Sequence, residues 1–195
     1  MLNSKGIQQM YENTTGLHLT QLVRQDGKEL YYKKVGYNFL SVSPVKPAAY
    51  DKNGADIEQT KLGTIRVDKD YYEAILLLLC GKFNLTKWLT YGDDFDLTVH
   101  DLISFSFPFN DLTDSDQQVI HDCYKEFVKR MPKTLQFKLN AGINVGTFNT
   151  AQLWEITDKS DMIFYKYISE DPVALSQLVE NHIAKCVISD KKNDE

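Results

Sequence analysis

Three carboxylates stand close together at Asp93, Asp94 and Asp96, inside Gly-Asp-Asp-Phe-Asp-Leu-Thr (residues 92–98). Such a cluster could hold a cation and activate water, so a stand-alone hydrolase with a site near 93–96 is one reading. The run lacks the twelve-residue ligand spacing of a calcium loop, and its simpler reading is a solvated loop that ends a helix. The four histidines (His18, His100, His121, His182) are scattered, with neither His-Glu-x-x-His nor pairing with cysteine at zinc spacing. No Gly-x-Ser-x-Gly elbow, phosphate-binding Gly-x-x-x-x-Gly-Lys loop or Gly-x-Gly-x-x-Gly turn occurs. A nuclease of the Asp…Glu-x-Lys kind has no Glu-x-Lys to use, and the nearest acid-x-Lys, Asp26-Gly27-Lys28, falls in an expected hairpin turn. An amino-methylating enzyme needs a glycine-rich turn for the methyl donor and an Asn/Asp-Pro-Pro-aromatic tetrapeptide for the flipped base; both are missing. The chain therefore carries no self-contained catalytic site, and no cofactor is expected in it.

Two stretches look made for contact instead. The first holds Arg24, Lys28, Tyr31, Tyr32, Lys33, Lys34, Tyr37, Asn38 and Lys46. Strand alternation puts Tyr31 and Lys33 on one face and Tyr32 and Lys34 on the other. Cations beside aromatics suit phosphates and bases, and Arg and Asn can read base edges through paired hydrogen bonds. The same residues would also suit an edge strand kept soluble by lysines, or a tyrosine-rich face that docks another protein without DNA. The second stretch, Asn140 to Gln152, is rich in Asn and Gly and offers Asn144 and Asn149; its plainer reading is a surface loop.

Composition fits a contact module. Apolar residues make up 43% and charged residues 25% of 195, ordinary for a globular protein and too apolar for a disordered one. The longest apolar run, Ala74 to Cys80, is far short of the ~20 residues of a membrane helix. The first ten residues lack the layout of a secretory signal. Three cysteines, far apart and without Cys-x-x-Cys, read as reduced thiols in a cytoplasmic protein. The net charge of −5 is unevenly spread: residues 1–69 carry ten cations and seven acids, residues 70–195 twelve and twenty. An acidic protein can thus present a local basic face.

The elements that must position these residues follow from periodicity and caps. Residues 1–16 read as a loose or weakly helical lead-in, 17–187 as the domain and 188–195 as a frayed tail. Alternation over 17–67, with a turn at Asp26-Gly27, predicts strands. Tyr71 to Tyr91 reads as a buried helix punctuated at Gly81 and closed at Gly92. Residues 97–107 read as extended. A helix over 114–131 takes its cap from Asp111 or Thr113 and stops at Pro132. Residues 133–148 are strand or extended loop. Helices over 158–168 and 172–187 follow, the last with Asp171 as cap and Pro172 in its first turn. The fold class is α+β: a twisted, mainly antiparallel sheet from 17–67 and 97–140 with about four helices packed on it.

Two segments in order carry a family resemblance. Leu76 to Leu79, Trp88, Gly92, Asp93, Phe95, Leu97, Thr98, Asp101, Leu102, Phe107 and Pro108 resemble a late segment of adenine-specific DNA methyltransferases of the combined type II restriction-modification kind. There a leucine-rich helix precedes Gly-Asp-Gly-aromatic and Phe-Pro; here Asp94 stands at the second glycine. Gly146, Phe148, Ile156, Thr157, Asp158 and Asp161 are similar to the closing element of the same enzymes. The resemblance covers roughly residues 30–168 and implies the C-terminal target recognition domain. The implied partners are double-stranded DNA and a methyltransferase catalytic domain, in the same parent chain or a separate subunit. That domain, not this chain, would hold S-adenosylmethionine. The leucine helix is then core, and Asp158 and Asp161 read as helix caps rather than catalysts. The expected DNA contacts are Arg24, Lys28, Tyr32, Lys33, Lys34, Tyr37, Asn38 and Lys46, with Asn144 and Asn149 secondary.

Overall fold

A computed structural model of the chain describes residues 4–12, 14–92 and 96–191. Asp93, Asp94 and Phe95, and the end of the expected frayed tail at 192–195, lie outside the described residues. The fold is α+β, with α-helices and three small antiparallel sheets among the described residues. The chain runs α1 (Ser4–Glu12), β1 (Leu17–His18), β2 (Val23–Lys33), β3 (Val42–Ser43), β4 (Ala49–Tyr50), β5 (Leu62–Val67), α2 (Tyr72–Cys80) and α3 (Lys82–Tyr91). It continues through α4 (Val99–Ile103), β6 (Ser106–Phe107), α5 (Asp114–Arg130), β7 (Leu135–Asn140), β8 (Ile143–Phe148), α6 (Trp154–Ile168) and α7 (Pro172–Lys191). No described helix is long and apolar enough to cross a membrane.

The core is built around α2. Leu76, Leu77, Leu78 and Leu79 are fully buried, as an all-apolar helix must be. They lie in one cluster with Leu30, Phe83, Phe107, Phe127 and Phe164. Gly81 separates α2 from α3 for a steric reason. A Cβ there would lie 2.3 Å from Oδ1 of Asp161. The lead-in is less loose than its composition suggests, since Ile7 and Tyr11 of α1 are buried in the same core.

Local caps hold as read. Thr113 Oγ1 accepts from the Asp116 amide at 3.2 Å and starts α5. Asp171 Oδ1 accepts from the Ala174 amide at 2.9 Å and starts α7. Four expectations are corrected. Asp26-Gly27 is no hairpin turn: β2 runs through it, and Val67 pairs with both Val23 and Lys28, so the intervening residues form a bulge. Residues 97–107 are strand only at β6 (Ser106–Phe107), and Val99–Ile103 form the short helix α4, started by a capping box of Thr98 and Asp101. Third, α6 begins at Trp154, so Asp158 and Asp161 stand inside the helix and are not its caps. The expected single sheet is divided in three: β1–β6, β3–β2–β5 and β4–β8–β7.

Candidate nucleic-acid interface

Two chain segments without a single acid are joined in the fold. Residues 30–50 hold Lys33, Lys34 and Lys46; residues 131–154 hold Lys133 and Lys138. Outside them the chain has 17 cations against 27 acids, a balance of −10. The two segments meet where β4 pairs with β8, Ala49 opposite Val145 and Tyr50 opposite Asn144. Acids from outside the two segments reach the same region, Glu58 at Lys46 and Asp96 at Lys61; the lysines that remain exposed there suit a polyanion.

Between the end of β2, the segment 57–61 and the β7–β8 hairpin lies a cleft of about 390 Å³. Lys33, Lys61 and Lys138 line it, with Tyr37 and Asn140. Gln59 ties the walls together. Its Nε2 donates to the carbonyls of Pro47 (2.9 Å), Ala48 (3.2 Å) and Gly146 (3.2 Å), which fixes the amide so that Oε1 accepts from Lys33 Nζ at 2.7 Å. Lys33 is only 3% exposed, and burial lowers its pKa. Lys61 bonds Asp96 at 3.1 Å. Lys138 makes no ion pair among the described residues. Strand alternation turns Lys138 and Asn140 into the cleft and Phe137 and Leu139 to the other face of the hairpin, where they are 48% and 68% exposed.

The expected contact residues distribute as follows. Lys34, Tyr37, Asn38, Lys46 and Asn144 are exposed. The Tyr37 ring stacks on Phe39 at 5.4 Å, and Lys46 reaches Glu58 at 3.3 Å. Tyr32 is a core residue, 5% exposed, because its ring lies over Gly63, where a Cβ would come within 2.3 Å of Cζ. It cannot touch DNA. Arg24 and Lys28 stand at the opposite end of β2 from Lys33 and Lys34. There Arg24 pairs with Asp68 at 3.4 Å, and Lys28 Nζ lies 4.3 Å from the Tyr72 ring centre. The continuous basic strand face expected from the sequence is therefore split. Asn149 is half-buried, and its Oδ1 has no hydrogen-bond partner among the described residues. Gln59, Lys61 and Lys138 were not anticipated. The absence of acids around Lys138 was the available signal; nothing local marks Gln59.

Lys28 lines a second cleft, about 720 Å³, with Tyr71, Glu73, Asn110 and His121. Glu73 Oε2 meets His121 Nδ1 at 2.8 Å, and Tyr71 donates to Asn110 Oδ1 at 2.7 Å. Its charges are mixed, and these polar groups are satisfied by one another. The suspected carboxylate site contributes Asp96, which is engaged with Lys61. Among the described residues no three His, Cys, Asp or Glu side chains cluster as a metal site. No family model, curated protein or solved structure matches this chain.

Proposed function

We propose that this chain is a sequence-specific DNA recognition module of an adenine-specific restriction-modification methyltransferase, with methyl transfer supplied by a separate catalytic domain that holds S-adenosylmethionine. One observation carries the reading. The two acid-free segments are hydrogen-bonded to each other through β4 and β8 and carry exposed Lys34, Lys46, Lys138, Tyr37, Asn38 and Asn144 on an otherwise acidic protein. Lysines there contact phosphates, and Asn38 and Asn144, free to reach a groove edge, read bases.

Fluorescence anisotropy on a duplex, repeated over a range of salt, tests this. Each phosphate contact adds about 0.9 to the slope of log K against log salt. Replacing Lys34 and Lys138 together by alanine should reduce that slope by about 2. Replacing Arg24 and Lys28, at the far end of β2, should leave it unchanged. Equal effects from both pairs, or none from the first, would remove the interface from this side.

A second reading, a protein-docking module without DNA, is favoured by the exposed Phe137 and Leu139. It expects no duplex binding at any salt.

A further inference from the structure

We infer that the cleft between the end of β2 and the β7–β8 hairpin is a pocket for one nucleotide unit, its phosphate on Lys33 and its base on the apolar floor. The inference deepens the DNA reading, but it rests on different observations. Lys33 is an ammonium 3% exposed whose one hydrogen bond among the described residues goes to a neutral amide, Gln59 Oε1. An ammonium has three N–H donors. Burying it without a carboxylate is costly, and no carboxylate among the described residues bonds it. An anion entering the cleft offsets that cost. Glu58 also lines the cleft, but its side chain is 93% exposed and turned to Lys46. Lys138 adds a second cation at the wall.

Phosphate alone does not account for the rest of the cavity. Val35, Ile57, Ile143 and Val145 give it an apolar floor, suited to a flat, weakly polar ring. Tyr37 at the rim, 39% exposed, offers a face on which a base stacks. Asn140 supplies a donor and an acceptor for a base edge. At about 390 Å³ the cleft falls within the range of small-ligand sites, ~300–1,000 Å³. A nucleotide combines the anion and the ring. It can come from solution or from a DNA strand, turned out of the stack.

The test titrates the full chain with deoxyadenosine monophosphate, with inorganic phosphate and deoxyadenosine as separate probes, followed by amide chemical shifts. Wild type should bind the nucleotide more tightly than either half. Lys33→Met should weaken it at least tenfold while circular dichroism stays unchanged. Should Lys33→Met fail to fold, Tyr37→Ala, an exposed change, should weaken binding several-fold. No binding by wild type at ~10 mM, equal binding by Lys33→Met, or phosphate alone binding as tightly as nucleotide would overturn the pocket. The source is read with a duplex carrying 2-aminopurine. Fluorescence gained with wild type and lost with Lys33→Met assigns the pocket to a DNA nucleotide. Nucleotide binding without that gain assigns it to free nucleotide. A protein that binds the nucleotide but no duplex keeps the pocket and loses the DNA reading; the reverse loses the pocket alone.

Discussion

Asp161 joins two helices through one buried carboxylate. It is 2% exposed, in the interior of α6, and its Oδ2 accepts from the Lys82 amide at 2.8 Å. It therefore caps α3 from another helix, 79 positions along the chain. Burial pushes its pKa up to about 8, with Asp158 adding to the rise and the Lys82 amide opposing it. The folded state then holds this proton more tightly than the unfolded chain. The stability it contributes is full below the ordinary carboxylate range and is lost as pH rises toward and through about 8. The slope has an upper limit of ~1.4 kcal/mol per pH unit. Asp161→Asn keeps the acceptor and removes the charge. Thermal melts should show wild type losing stability between pH 5 and 8, while the variant stays flat and melts higher at pH 8. The role of Asp161 was not legible because capping rules are local and this cap crosses between helices. Asp171 and Thr113, which cap their own helices, were legible for that reason.

Local signals matched the fold at some elements and misled at others: the Asp26-Gly27 pair makes a bulge, not a turn, and the Thr98–Asp101 capping box starts a helix in a stretch read as extended. The all-leucine face announced α2 and Gly92 the end of α3, whereas α6 starts at Trp154 behind Leu153, which forms no side-chain cap, so no polar residue marked it. The β7–β8 hairpin occupies residues read only as strand or extended loop, and its turn departs from the usual chemistry. Ala141 has φ 49° and Gly142 φ 81°, a pair of left-handed residues of the kind that suits two-residue hairpins. An alanine there is strained by ~1–2 kcal/mol, and no loss of contact attends its removal. Ala141→Gly should stabilise the protein by about 0.5–1 kcal/mol net of the glycine's entropy, measured by urea denaturation. Destabilisation would mean the turn conformation is misassigned.

At the scale of the molecule, the proposed DNA reading depends on how charge is sorted. The sequence shows a cationic first third and an acidic remainder, yet the folded chain sorts charge by segment: residues 30–50 and 131–154 come together, and Arg24 and Lys28 stand apart at the far end of β2. The separation of 94 to 96 positions between paired residues of β4 and β8 made that junction invisible to periodicity, while each segment's lack of acids was plain in the text of the chain. Selection from a pool of random duplexes reads out sequence preference itself. If the module reads DNA sequence, bound molecules recovered after several rounds at ~0.15 M salt should converge on one short motif, and mutating that motif should cost ~1–3 kcal/mol per base pair. Recovery of unbiased sequence, or of no DNA even at low salt, would contradict the account.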